Sequence, residues 1–188
     1  MKPVHQLPEV RLETERLLLR TPQPGDFEDV ATMLADPVCM MHLGGVQPRS
    51  TAWRTFCTML GGWVMLGFGM FSVIEKSSGR WVGRIGPIHP EGWPGPEVGW
   101  AVITDVQGKG YAFEAAIASI DHVFDDLGWT EVIHCIEDSN LRSAALARRL
   151  GSEPLRTAMM PPPLEKIEVR VWGQTRDAWR ARRGALGT

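Results

Sequence analysis

Gln107-Gly108-Lys109-Gly110-Tyr111-Ala112 lies between a strand-like run ending near Ile103 and a periodic helical pattern running to about Leu127. Two glycines bracket a lysine where a helix is about to begin. Such a turn offers backbone N–H groups, unscreened by side chains, at the positive end of a helix, where an anionic phosphate binds well. The stretch fits neither common nucleotide template. A P-loop needs Ser or Thr after its Gly-Lys, where Gly110-Tyr111 stands, and a dinucleotide turn needs a third glycine where Phe113 stands. GxSxG and HExxH are also absent from the chain.

Working outward, Phe113, Ile117, Ile120, Phe124 and Leu127 recur at helical spacing until Gly128 caps the helix. Before the turn, Gly69 to Glu75 and Trp81 to Ile88 flank the turn Lys76 to Gly79 as a β-hairpin. The loop His89 to Pro96 then leads into a further strand, Glu97 to Ile103. After the helix, Glu131 to Ile136 reads as a strand, and Ser139 or Asn140 caps a helix carrying Leu141, Ala145, Leu146 and Leu150, ended by Gly151. Strand, helix, strand, helix in this order implies a parallel pair.

Nearer the start, Arg16 to Arg20 follows the acidic turn Glu13-Thr14-Glu15 as a first strand. Asp26 caps a helix carrying Phe27, Val30, Ala31 and Leu34, residues 38–49 form a loop, and Ser50 or Thr51 caps a helix to about Trp63. Near the end, Met159-Met160-Pro161-Pro162-Pro163 interrupts the pattern, Ile167 to Trp172 alternates as a last strand, and Arg176 to Arg183 is a basic tail. The expectation is one mixed α/β domain over the whole chain, 1–188, with hairpins early and a crossover late.

Lys plus Arg (20) against Asp plus Glu (22) leaves a net charge of −2, which disfavours a nucleic-acid binder. Cys39, Cys57 and Cys135 lack CxxC spacing and read as reduced, packed thiols with no metal site. Met1 to Val10 has no apolar core of the kind a signal peptide needs. The most apolar window, Met59 to Phe71, holds four glycines in thirteen residues, whereas a membrane span needs roughly 20 mostly apolar ones. A cytoplasmic protein without membrane contact is expected.

Three segments, EVGW (97–100), QGKGYAFEA (107–115) and NLRSAALARRLG (140–151), resemble the GNAT acetyltransferases in order and spacing, over roughly residues 12–173. TERLLLR (Thr14 to Arg20) is similar to the RimJ/RimL-like branch, which includes acetyltransferases of ribosomal-protein N-termini. The resemblance implies a mostly antiparallel sheet of about seven strands and about four helices, typical of α+β layering. In that fold the fourth strand (Glu97 to Ile103) splays from the parallel fifth (Glu131 to Ile136), and the pantetheine arm of acetyl-CoA lies in the gap like an added strand.

The resemblance implies that Gln107, Gly108, Lys109, Gly110, Tyr111 and Ala112 wrap the pyrophosphate with backbone N–H groups. Trp100 and Val102 supply main-chain contacts to pantetheine, and Asn140 contacts it too. Ser143 approaches the sulfur, and Glu97 is the general base, acting through water. Loop 38–49, loop 89–96 and segment 159–164 wall the acceptor pocket, with Met40, Met41, Trp93, Met159 and Met160 making it apolar. His42, His89 and Glu91 are alternative titrating groups. Two departures stand out: the only tyrosine, Tyr111, sits inside the phosphate turn, so none follows the Asn140 helix as an acid, and Gly151-Ser152-Glu153 replaces the usual Gly-Phe.

Acetyl transfer needs a neutral amine, and an α-amine of pKa about 7.7 to 8.0 is far less charged at pH 7 than a lysine near 10.4. The expected activity is therefore acetyl-CoA-dependent N-acetylation of a primary amine, foremost a peptide or protein N-terminus. The alternatives are a small amine (an antibiotic, polyamine or amino acid) or a CoA-binding module without catalysis. A homodimer is compatible with this reading.

Overall fold

The computed structural model describes residues 7–186. Residues 1–6 and 187–188, and with them most of the segment on which the absence of a leader was expected, lie outside the described residues. Eight strands form one sheet: β1 (Arg11–Glu13), β2 (Leu17–Arg20), β3 (Phe71–Glu75), β4 (Trp81–Ile88), β5 (Glu97–Val102), β6 (Glu131–Ile136), β7 (Glu153–Met159) and β8 (Glu168–Thr175). Their order is β1-β2-β3-β4-β5-β6-β8-β7, antiparallel throughout except for the parallel pair β5–β6. The helices are α1 (Phe27–Ala35), α2 (Pro37–Met40), α3 (Arg49–Leu66), α4 (Tyr111–Asp125), α5 (Leu141–Leu150) and α6 (Arg176–Arg183).

Alternation along β4 sends neighbouring side chains to opposite faces. Trp81 packs with Val30, Leu34 and Phe56 of α1 and α3, while Val82 and Ile85 join Leu17, Leu19, Phe71 and Tyr111. The predicted apolar stripe of α4 is buried: Phe113, Ile117, Ile120 and Phe124 meet Val98, Val132 and Trp179. Each such fully buried side chain contributes about 1.5–3 kcal/mol. Among the described residues no helix is long and apolar enough to cross a membrane.

Several elements depart from expectation. A short unpredicted strand, β1, runs just ahead of the predicted acidic turn, so the parallel pair becomes the fifth and sixth strands rather than the fourth and fifth. Asp26 precedes α1 without a side-chain cap; its carboxylate instead accepts from Arg20, Gln23 N–H and Ser72. α2 occupies the start of the predicted loop, initiated by Asp36, which accepts from Val38 N–H. β7 is an exposed edge strand with no inward-facing row, so its residues show no alternation. The predicted basic tail is helix α6, anchored by a single buried side chain, Trp179, whose indole donates to Asp121.

Candidate active site

The two edges of β5 are unlike. Toward β4 it is paired from Gly83↔Val102 to Ile88↔Glu97; toward β6 a single pair, Glu97↔Ile133, is in register. β5 and β6 therefore part along most of their length, and side chains satisfy two of the groups left over, Cys135 N–H and the Val98 carbonyl. Cys135 N–H donates to Glu97 Oε1 at 3.0 Å. The Val98 carbonyl can only accept, so His134 carries its proton on Nδ1 and donates to it at 2.7 Å. His134 Nε2 then accepts from Ser152 Oγ (3.1 Å), which in turn accepts from Gln174 Nε2 (3.0 Å). Burial keeps His134 neutral, its pKa lowered to about 4. Ser152, the residue in place of the usual Phe, thus completes a polar chain beneath the splay.

At the mouth of the splay stands the glycine turn. Gly108 and Gly110 adopt φ of 79° and 84°, left-handed values that cost glycine nothing. Gln107 and Lys109 spend their N–H groups inside the turn, on the Thr104 and Val106 carbonyls. The N–H groups of Gly108, Gly110, Tyr111 and Ala112 precede or open α4, where helix geometry provides no partner. The turn is braced from outside. Arg16 donates to the Lys109 carbonyl, lies 4.6 Å over the Tyr111 ring and pairs with buried Glu114 at 2.6 Å. Burial alone would raise the pKa of Glu114, but donation from Thr14 and from Arg16 N–H and guanidinium holds it lowered. Tyr111 donates its hydroxyl to Glu75 of β3, so this tyrosine is a strut rather than a free acid.

Glu97 opens β5 and is 6% exposed, unlike a solvated edge residue. Trp93 Nε1 donates to its Oε2 at 2.6 Å. Burial pushes its pKa upward, partly offset by the Cys135 N–H, Trp93 and Cys135 thiol donors. Burial first, and then the Glu97 charge, pushes the Cys135 thiol up in turn, keeping it protonated and a poor nucleophile.

Farther along β5, Trp100 Nε1 donates to Ser143 Oγ at 3.2 Å. An indole only donates, so the Ser143 proton remains free to be given elsewhere. Asn140 Oδ1 accepts from Ser143 N–H as the α5 cap, leaving its amide NH₂ for another partner. The Val102 carbonyl accepts long bonds from Gln107 Nε2 (3.4 Å) and Cys39 Sγ (3.5 Å), while Gln107 Oε1 accepts from Arg142 (2.9 Å). Turn, splayed strand and α5 cap are thereby joined by one set of side chains.

The three wall segments converge. A side chain at Gly44 would meet Leu164, one at Gly92 would touch Pro161, and Arg156 of β7 holds the Pro94 carbonyl at 2.7 Å. His42 approaches Ser139 at 3.5 Å and Glu137 at 3.8 Å. Within these segments Met41 and Met159 are exposed, Trp93 is half-buried and Met160 is buried with Ile133, Val169 and Val171; His89 and Glu91 are exposed on their loop. Met40 does not belong to the wall: it is fully buried with Val30, Leu34 and Phe56, in the gap-filling role common for methionine. In the sequence Trp93 reads only as an apolar wall residue, Cys135 only as a packed thiol and Ser152 only as a departure from Gly-Phe, and His134 is not singled out; their bonds to Glu97, Val98 and one another show only in the structure.

A sheet that opens between two parallel strands beside a glycine turn at a helix N-terminus defines an acyltransferase scaffold. A family profile for the GNAT acetyltransferase domain matches residues 16–153, and the chain belongs to that family. Its structure is similar to an acetyltransferase from Agrobacterium tumefaciens, 29% identical, with 94% of this chain and 99% of that one covered and a TM-score of 0.79. A protein from Vibrio cholerae assigned as a ribosomal-protein-serine acetyltransferase is 20% identical, with 90% and 99% covered and a TM-score of 0.73. An aminoglycoside acetyltransferase in complex with coenzyme A is 18% identical, with 89% and 99% covered and a TM-score of 0.72. The last two likenesses carry the fold. The protein is an acyltransferase of the GNAT class.

Proposed function

We propose that the protein transfers the acetyl group of acetyl-CoA to the α-amine of a peptide or protein N-terminus, in the manner of the RimJ/RimL-like branch. The observation that carries this reading is Glu97, a buried carboxylate fixed by two N–H donors where β5 and β6 part. A carboxylate with a raised pKa is a better proton acceptor than a solvated one, and an α-amine demands less of it than a lysine would.

In the proposed reaction the free N–H groups of Gly108, Gly110, Tyr111 and Ala112 hold the pyrophosphate, with the Gln107 and Lys109 side chains beside them. Main-chain groups of Trp100 and Val102 and the Asn140 amide align pantetheine. The amine nitrogen attacks the thioester carbon as its proton passes through water to Glu97, and the C–S bond breaks as the C–N bond forms. The Ser143 hydroxyl gives its proton toward the departing sulfur and recovers one from solvent. A thiol of pKa about 8.5 leaves readily, so no tyrosine acid is required.

Glu97→Gln is expected to lower kcat about 100-fold, within the range for loss of a general base, and to spare acetyl-CoA affinity. Thiol release and calorimetry measure the two. Unchanged turnover removes Glu97 from the role. Turnover confined to small amines in an acceptor screen replaces the peptide reading with a small-molecule one.

A further inference from the structure

Arg84 lies in β4 opposite Ala101, and Glu97 lies in β5 opposite Ile88. Pairing and alternation place Arg84, Gly86, Gly99 and Glu97 on one face of the sheet. Among the described residues Arg84 is a cation without a carboxylate. Its Nε is fully inaccessible and unpartnered, and its only bond is a 3.5 Å contact from Nη1 to Met59 Sδ of α3. Burial alone lowers its pKa to about 10, so it stays charged at neutral pH. Its partner across the β3–β4 pair is Ser72, and the carboxylate that Ser72 bonds, Asp26, is already held by Arg20, Gln23 N–H and Ser72 itself. Arg84 as a whole is half-buried, and arginines largely withdrawn from water are ordinarily paired, because an uncompensated charge is costly to hold away from solvent.

Between Arg84 and Glu97 the face carries no side chain, since the intervening pair is Gly86↔Gly99. The space over Gly99 is taken by Met70, whose Cε would lie 2.9 Å from an added Cβ. A methionine is an adaptable cover, able to change rotamer for an incoming ligand. The backbone span from Arg84 to Glu97 is roughly 13 Å, four residues of strand rise. Glu97 Oε1 leans toward this gap, 3.6 Å from where a Cβ on Gly99 would stand, so a ligand reaching from Arg84 to Glu97 carries its anion roughly 10 Å from its amine, about two to three extended residues of peptide.

We propose that Arg84 is an acceptor-specificity residue, recognising an acidic side chain at the second or third position of the peptide whose N-terminal amine is presented to Glu97. This rests on the reading of Glu97 as the base beside the acceptor. A free amino acid, whose carboxylate and amine are much closer together, is too short to bridge the two groups.

The test compares C-terminally amidated tripeptides with Asp, Glu or Ala at positions two and three, alongside free amino acids, on wild type and Arg84→Gln. Acidic peptides are expected to show at least tenfold higher kcat/KM on wild type, mostly through KM, and to lose that preference in R84Q while the neutral peptide is unaffected. Equal use of acidic and neutral peptides by wild type overturns the proposal, as does preference for free amino acids. Calorimetric binding of the N-acetylated acidic peptides to wild type with CoA gives a readout independent of turnover and of variant folding. Tighter binding than the neutral product sustains the Arg84 assignment even if Glu97→Gln stays active, and equal binding overturns it.

Discussion

The two edges of β5 do opposite jobs with the same six residues. Against β4 the strand is zipped along its length by backbone bonds. Against β6 it holds at one pair and leaves the rest to Glu97, His134 and Trp100. Backbone pairing can be satisfied by any sequence of suitable shape, whereas side-chain stitching demands particular residues. A functional opening in a sheet is thus built by replacing some ladder bonds with specific polar side chains, whose own hydrogen bonding matters because a half-satisfied polar interior is worse than an apolar one.

The largest effect that separates the edges is expected from His134. Folded, it is neutral down to about pH 4; unfolded, it protonates near 6.5. Between these values the unfolded chain binds the extra proton. Stability therefore falls as pH drops from 6.5 toward 4, by about 3 kcal/mol from this group, and none of it is lost above 6.5. Urea unfolding across this range is expected to show that slope reduced in His134→Gln. Glu97 is present in both proteins and cancels from the difference; superimposable slopes would mean the stitch does not depend on the neutral imidazole.

On the zipped edge, an added Cβ at Gly83 would stand 2.4 Å from the Ala101 carbonyl. Gly83→Ala is expected to destabilise by about 2 kcal/mol through overpacking, seen as a lower urea midpoint, with cofactor affinity preserved. Equal damage to cofactor affinity would show that the two edges are not independent.

Trp93→Phe keeps the ring but removes the donor on Glu97. The acid limb of the pH–rate profile is expected to move up by about one unit, the size of a modest change in hydrogen bonding to a carboxylate. A stationary limb would leave Trp93 as wall only. The smallest change is expected from Asn140→Ala, about 1 kcal/mol for loss of a helix cap, with weaker CoA binding if its amide also reaches pantetheine.

What could be read in the sequence follows the same division. β4 and β6 were legible to the residue, because apolar strands bounded by turns declare themselves locally, and so did α4, α5 and the glycine turn. β7 and α6 were not: one is an exposed edge, the other buries only Trp179, and neither carries a periodic apolar row. Within the site, the turn was visible from its glycines. The donors on Glu97, the neutral His134 and the solitary Arg84 arise from register across strands, which no local pattern encodes. Met40 and Met41 show the limit sharply: adjacent and identical, one is fully buried and the other 65% exposed.

Arg16 holds the Lys109 carbonyl and the Glu114 carboxylate, 93 and 98 residues away along the chain. The anion turn therefore cannot be completed by its own neighbourhood; it is finished only when the strand that emerges early in synthesis docks against a helix made much later. Contacts of such separation are closed late and slowly, because loop entropy must be spent before they reward it. A ligand that binds only the finished turn will hold β2 in place as well, so acetyl-CoA is expected to slow hydrogen exchange at Leu17 and Leu19, far along the chain from any phosphate it touches.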